Sequence, residues 1–184
     1  MEAYSSYRQK AGDKSWDLVI IGDGEGRPKI ENKITELDLT SSLHLPGFIQ
    51  YGELPYYYNH ANALVHASTR EQWGLVVNEA MASGLPVLVS NRCGSAAELI
   101  EEGENGFTFE PYNVEQLAQK MYEFSNGNLN LDNMGQKSLE IIQHWGTDLF
   151  AENLHRAAET AVLDYRSKNT LPNRLLLNLL QKFI

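Results

Sequence analysis

The chain has 184 residues, of which 42% are hydrophobic and 21% are charged, so it is large enough for one folded domain with a buried core. Its formal net charge of −9 excludes broad nucleic-acid binding, which needs a basic surface. The single cysteine, Cys93, excludes an internal disulfide, and we expect a cytoplasmic protein.

Short apolar runs alternate with longer helical patterns, which is typical of β-α units and a mostly parallel sheet. Pro28 is suited to the first turn of a helix, and Gly84 to the end of one. The predicted strands are residues 16–21, 42–48, 63–67, 87–90 and 106–109. The predicted helices are residues 28–37, 53–60, 74–83, 95–102, 113–125, 132–143 and 148–167. The pattern predicts an α/β fold with a doubly wound parallel sheet and a helical C-terminus.

The last residues differ in character, so we divide the chain into a domain of residues 1–167 and an amphipathic tail helix of residues 168–184. Leucines and Phe183 cover most of this helix, while Arg174 and Lys182 belong to a narrow polar stripe. We expect the tail to dock on a protein surface. Peripheral membrane contact is the alternative, although two basic residues give little attraction to anionic lipid.

Two carboxylates follow the third predicted strand. Between Glu71 and Arg92 the only ionisable side chain is Glu79, and a carboxylate among apolar residues is costly to bury unless it is hydrogen-bonded. A ligand rich in hydroxyl groups would supply such bonds. The alternative is a purely structural role, in which Glu71 is a solvated loop residue and Glu79 forms the polar edge of a buried helix.

The residues between these carboxylates favour a phosphate site, because ligands of open α/β sheets lie beyond the carboxyl ends of the strands. Gly74 would let a phosphate approach the backbone, and the amides of Leu75 and Val76 would point at it from the helix start. After the fourth strand, the loop of residues 91–95 includes Gly94, and its amides are candidates for the same ligand.

Other patterns in the sequence give weaker evidence of a functional site. The glycines of residues 22–26 are wrongly spaced for a dinucleotide fingerprint. The five histidines show no metal-ligand spacing, so we expect no metal site. Cys93 has no nearby base in the sequence, which argues against a catalytic thiol.

Together the motifs resemble the C-terminal, donor-binding domain of the retaining "group 1" (family 4-like) glycosyltransferases of the GT-B type. The similarity covers roughly residues 3–165 and runs in the family's order. The matching segments are Leu-Val-Ile-Ile-Gly-Asp-Gly at 18–24, Pro-Gly-Phe-Ile at 46–49, Ala-Leu-Val-His-Ala-Ser at 63–68, Glu-Gln-Trp-Gly-Leu-Val-Val-Asn-Glu-Ala at 71–80, Gly-Leu-Pro-Val at 84–87, Gly-Ser-Ala-Ala-Glu at 94–98 and Gly-Glu-Asn-Gly-Phe at 103–107.

The resemblance implies transfer of a sugar from a nucleotide diphosphate to an acceptor hydroxyl, with retention and without metal or other cofactor. Glu71 would contact the donor sugar as the catalytic carboxylate, and Glu79 would hold the ribose. The backbone after Trp73 and Gly74, at Leu75 and Val76, would contact the diphosphate or sugar. The backbone of Ile49 would meet the base.

The resemblance also implies a missing first strand, which would be central in a sheet of order 3-2-1-4-5-6. Its loop, of the pattern Gly-Arg…Lys-Gly, is missing with it, because residues 1–7 correspond to the following helix. We therefore expect an N-terminally truncated donor half with weak or no activity alone. An N-terminal domain or a partner chain would bring the acceptor saccharide or lipid. Two alternatives stay open: a non-catalytic module that binds a nucleotide sugar or a partner, and a nucleotide-sugar 2-epimerase.

Overall fold

A computed structural model describes residues 1–163 of the chain. It contains two compact units, residues 1–144 and residues 145–184, and the second is described as far as residue 163. The predicted tail helix of residues 168–184 lies outside the described residues. The helices are α1 (Glu2–Ala11), α2 (Arg27–Glu36), α3 (Leu54–His60), α4 (Leu75–Ala82), α5 (Ala96–Leu99), α6 (Val114–Ser125), α7 (Leu131–Ile142) and α8 (Thr147–Leu163). The strands are β1 (Leu18–Ile21), β2 (Leu43–Gly47), β3 (Leu64–His66), β4 (Val87–Ser90) and β5 (Gly106–Phe109).

All strand pairs are parallel, as the alternation of apolar runs and helices predicts. They form two sheets, one of β1 and β2 and one with the order β3-β4-β5. Leu18 lies opposite Leu43 in the first sheet, and Leu64 lies opposite Val87 in the second. No strand within residues 1–163 joins the two sheets.

The best-buried strand is β4, whose Val87, Leu88 and Val89 are at most 1% exposed. It lies between β3 and β5, so both of its edges are hydrogen-bonded. Its side chains are all apolar until Ser90, which is typical of a parallel strand that is buried on both faces. Val77 and Met81 of α4 pack against this strand and are fully buried. This packing holds α4 in a fixed position directly after β3.

A second cluster covers β1 and β2. Tyr4 and Tyr7 of α1 are 2% exposed and pack with Ile34 and Leu43. The Tyr4 hydroxyl lies 3.0 Å from the Trp16 carbonyl oxygen and 2.9 Å from that of Ser42. Helix α1 is thereby attached to the chain just before both strands of the first sheet.

Helix α5 is shorter than the predicted span of residues 95–102, because the side chain of Asn105 takes over its last backbone groups. The Asn105 amide donates to the Leu99 carbonyl at 2.9 Å, and its oxygen accepts from the Glu101 N–H at 2.8 Å. Asn105 itself is fully buried. The side chain thus replaces another helical turn, and the chain turns into β5.

The second unit contains α8. Phe150, Leu154 and Val162 of this helix are exposed. Within residues 1–163, no helix is both long enough and apolar enough to span a membrane.

Candidate functional site

The loop between β3 and α4 is joined to the loop that follows β4. The Glu71 N–H donates to the Arg92 carbonyl at 3.4 Å, and the Gly94 N–H donates to the Glu71 carbonyl at 3.0 Å. Glu71 and Cys93 therefore pair as in a parallel ladder. Further along the same two loops, the Ser95 N–H donates to the Trp73 carbonyl at 3.2 Å. These bonds fix the backbone of Glu71 beside the start of α4.

Gly74 is the N-cap of α4 and has left-handed dihedral angles, φ 88° and ψ 70°. A Cβ atom at this position would lie 2.8 Å from Cys93 Sγ and 3.2 Å from both Glu71 Cγ and His66 Nε2. Space and dihedral angles therefore both require glycine here. The side chains of Glu71, His66 and Cys93 converge on its Cα.

The start of α4 is suited to an anion. The first N–H groups of a helix have no acceptor within the helix, and the helix dipole is positive at this end. The N–H groups of Leu75 and Val76 occupy these positions, whereas the Val77 N–H donates to the Gly74 carbonyl at 2.9 Å. The side chain of Leu75 is exposed.

We expect Gly74→Ala to lower the free energy of unfolding by roughly 2–4 kcal/mol, since left-handed strain and crowding add. Gly127→Ala is the matched control, because Gly127 has φ +82° but an added Cβ would meet no atom within 4 Å. It should lose about 1–2 kcal/mol. Urea unfolding measures both variants. Equal losses would mean that the three side chains around Gly74 can move away freely.

Glu79 lies in the second turn of α4, where the Tyr58 hydroxyl donates to its Oε2 at 2.8 Å. Burial raises the pKa of Tyr58, and the bond to Glu79 and its negative charge raise this pKa further. The hydroxyl therefore stays protonated at neutral pH and holds the carboxylate in place. A carboxylate offers about four lone-pair positions, so Glu79 retains capacity for hydroxyl groups of a ligand.

A cavity of about 570 Å³ opens between the two sheets, and it extends to the carboxyl ends of their strands. Ile49, Val76 and Glu79 line it together, with Tyr58 and His66. The other predicted residues, Glu71, Trp73, Gly74, Leu75 and Gly94, belong to the paired loops and line no part of this cavity. His66 lies between the two groups, because it lines the cavity and also approaches Gly74.

The side chain of Trp73 is folded back on α4. Its indole N–H donates to Asn78 Oδ1 at 2.9 Å. The backbone carbonyl of Trp73 accepts from the Cys93 thiol at 2.8 Å, so buried Cys93 connects the two loops. This contact supports the sequence-based argument against a catalytic thiol.

Two residues of the site, Tyr58 and His66, were not predicted from the sequence. His66 had a detectable signal, since it is the one polar side chain in the apolar strand β3. Its Nε2 is buried and has no hydrogen-bond partner among the described residues. Tyr58 gave no signal, because its bond to Glu79 spans 21 positions and neither helical periodicity nor a local motif reports such a contact.

Burial lowers the pKa of His66, and nearby Glu71 opposes this effect only partly. The unfolded chain therefore binds a proton at this histidine before the folded chain does, and the fold should lose stability as the pH falls below about 6.5. We expect a smaller loss between pH 7.5 and 5.5 for His66→Leu, measured as the thermal midpoint. His144→Gln, at an exposed histidine, should keep the wild-type profile. An unchanged profile for His66→Leu would contradict a buried, neutral His66.

Within residues 1–163, no cluster of three or more His, Cys, Asp or Glu side chains could hold a metal ion.

The parallel α/β architecture, with the start of α4 at the carboxyl end of β3, matches the Rossmann-like domains of GT-B glycosyltransferases. The family model for glycosyl transferases group 1 matches residues 1–140. The chain belongs to this family, and the resemblance stated from its motifs is confirmed.

Two curated relatives illustrate the range of the family. A glycosyltransferase of Haemophilus influenzae is 30% identical over 138 residues, which are 74% of this chain and 38% of the relative. The alpha-monoglucosyldiacylglycerol synthase of Acholeplasma laidlawii is 27% identical over 169 residues, 92% of this chain and 39% of the relative. The chain thus spans less than half the length of either protein.

Solved structures agree with this fold. The C-terminal domain of the group 1 glycosyl transferase LpcC from Francisella tularensis has a TM-score of 0.68 at 28% identity, covering 77% of this chain and 74% of that one. HepE from Anabaena, solved in complex with UDP, has a TM-score of 0.75 at 22% identity, covering 87% of this chain and 45% of that one. The second similarity concerns the fold alone.

Proposed function

We propose that residues 1–144 bind a nucleotide-diphosphate sugar and present it for transfer to an acceptor hydroxyl with retention of the anomeric configuration. One observation carries this proposal: Glu71, Gly74 and Glu79 stand in sequence along the entry of α4, with the first-turn amides between the two carboxylates. A negatively charged diphosphate flanked by hydroxyl-bearing groups on both sides fits this order of donors and acceptors.

Each part of the donor then has a counterpart. The diphosphate lies at the amides of Leu75 and Val76, and the ribose hydroxyls donate to Glu79, which Tyr58 orients. Glu71 contacts the sugar at the reacting face. The backbone of Ile49, which lines the same cavity as Val76 and Glu79, meets the base.

Gly94 has a more indirect part in this proposal. Its N–H donates to the main-chain carbonyl of Glu71, so it holds the backbone that carries the proposed catalytic carboxylate. Contact of its loop with the sugar or phosphate stays a prediction.

Departure of the diphosphate is the step that this site would accelerate. Negative charge grows on the leaving group as the bond to the sugar breaks, and fixed amides stabilise that charge without reorganisation. The bridge between Glu71 and Cys93 and the buried face of α4 keep these amides fixed. We propose that the reaction uses no metal and takes place in the cytoplasm.

The names of similar proteins support a nucleotide-sugar donor. HepE has been solved with UDP and glucose, and a poly(glycerol-phosphate) alpha-glucosyltransferase of Bacillus subtilis is 25% identical over 136 residues. We propose that acceptor contacts come from residues outside this sequence or from a partner chain. Accordingly, the 184-residue chain should bind a donor but turn it over weakly or not at all.

Calorimetry with UDP-, GDP- and ADP-sugars tests donor binding. We expect one nucleotide to be preferred, and Glu71→Ala to weaken binding of the nucleotide sugar while leaving the free nucleotide diphosphate unchanged. Failure of all three donor classes to bind would contradict the proposal. Binding by the chain without turnover, even when an N-terminal glycosyltransferase half is supplied, would favour a non-catalytic module. Proton NMR of any product reports whether the configuration is retained.

A further inference from the structure

His66 is the last residue of β3, and its side chain faces α4. Side chains of a strand alternate between the two faces of the sheet, and Leu64, two positions earlier, packs against the cluster that contains Val77 and Met81 of α4. A Cβ atom on Gly74 would lie 3.2 Å from His66 Nε2. The imidazole ring therefore lies at the carboxyl end of a strand and beside the N-cap of a helix.

Packing alone does not explain a histidine at this position. His66 Nε2 is buried and has no hydrogen-bond partner among the described residues. Buried polar atoms are normally hydrogen-bonded, and an unpaired one costs about 1–3 kcal/mol. A leucine would continue the apolar run of Leu64 and Val65 without this cost. The histidine thus brings no advantage in packing, and what distinguishes it from leucine is that it can carry a charge.

This charge would lie close to the proposed diphosphate. Among the described residues that line the cavity of about 570 Å³, His66 carries the one side chain that can become positively charged. The amides of Leu75 and Val76 follow Gly74 directly, so the imidazole ring and the diphosphate would share one helix start. A negative group within about 4–6 Å of a histidine favours its protonated form.

We propose that binding of the nucleotide sugar draws a proton from solvent onto His66, whose imidazolium ring then offsets part of the charge of the diphosphate. The effect is electrostatic and needs no direct contact of the ligand with buried Nε2. When the bond to the sugar breaks, the leaving nucleotide diphosphate gains negative charge, which a cation already in place stabilises. The proton returns to solvent when the nucleotide diphosphate leaves. This inference rests on the proposed function and adds a residue and a dependence on pH to it.

Without a ligand, the surroundings of His66 favour the neutral ring. Burial lowers its pKa, and the negative charge of Glu71 raises this pKa only in part. A bound diphosphate would act in the same direction as Glu71 and raise the pKa further. The other titratable groups that approach Gly74 or line the cavity are Cys93, Glu79, Tyr58 and the α-amino group of Met1.

Calorimetry in two buffers of different ionisation enthalpy tests the inference, with the UDP-, GDP- or ADP-sugar that the 184-residue chain prefers. The diphosphate of a nucleotide sugar is esterified at both ends and does not titrate near neutral pH, whereas a free nucleotide ends in a phosphate with a pKa of about 6. A proton taken up with the nucleotide sugar therefore binds to the protein. We expect proton uptake at pH 6.5, and binding about three- to tenfold tighter at pH 5.5 than at pH 7.5.

His66→Gln retains a hydrogen-bonding side chain but cannot become a cation. It should bind the nucleotide sugar without proton uptake and with an affinity that does not change over this pH range. His144→Gln, at an exposed histidine, should retain the proton uptake and the pH dependence of the wild type. In NMR spectra of the wild type with labelled histidine rings, the assigned His66 signal should titrate at a higher pH with the nucleotide sugar than without it.

The NMR titration needs no variant, so it decides if His66→Gln fails to fold. Binding of the nucleotide sugar without proton uptake, uptake that persists in His66→Gln, or an unchanged titration of His66 would overturn the inference and leave the proposed function in place. Absence of binding by all three donor classes at both pH values would overturn the inference and the proposed function together.

Discussion

Glu79→Ala is expected to weaken binding of the preferred nucleotide sugar and of the free nucleotide diphosphate equally, by about 10- to 100-fold. A hydrogen bond from a hydroxyl to a carboxylate contributes about 1.5–3 kcal/mol, and each 1.4 kcal/mol corresponds to about a factor of ten in affinity. Because the ribose belongs to both ligands, the loss should not depend on the sugar. Isothermal calorimetry measures both dissociation constants.

Two control variants separate this effect from a general loss of charge or order. Glu115→Ala removes an exposed carboxylate from the first turn of α6 and should leave both affinities unchanged. Tyr58→Phe retains Glu79 but removes the bond that orients it, so its loss should be smaller. A Glu79→Ala protein that folds and binds both ligands as tightly as the wild type would remove Glu79 from the proposed site.

Gly94→Ala is expected to lower the free energy of unfolding by at least about 3 kcal/mol, the upper end of ordinary overpacking. An added Cβ would lie 1.8 Å from the Gln72 carbonyl oxygen and 2.8 Å from its carbonyl carbon. These are backbone atoms, so no change of rotamer can relieve the clash. The two loops would have to separate, with loss of the bond between the Gly94 N–H and Glu71.

Urea unfolding gives the stability of Gly94→Ala, and donor calorimetry under native conditions gives its binding. Gly52→Ala is the control, because Gly52 lies in an exposed turn where an added Cβ would meet no atom within 4 Å. Its stability should change by at most about 0.5 kcal/mol. Wild-type stability of Gly94→Ala would show that the paired loops are not held as closely as described.

The predicted strands and helices coincide with the structure within a few residues wherever the pattern is strong. β4 and β5 match their predicted limits, since continuous apolar runs between glycine and proline signals leave little ambiguity. α5 is shorter than predicted, because its end depends on the buried side chain of Asn105. A contact of this kind is made only when β5 is in place.

The site was predicted in part. The sequence placed Glu71, Gly74 and Glu79 around a helix start because these residues are close along the chain. It did not reveal that Gly94 supports Glu71, or that Tyr58 holds Glu79. Both contacts join segments that are about 20 positions apart, and no local propensity encodes them.

The sequence by itself determined the family, the parallel α/β architecture and the choice of Glu71 and Glu79 as site residues. Each of these follows from local periodicity or from a short motif. The tertiary structure decided how the loops after β3 and β4 pair, and where His66 and Cys93 meet Gly74. These features depend on distances between segments remote in the chain, which are fixed only when the apolar faces of the helices pack against the sheets.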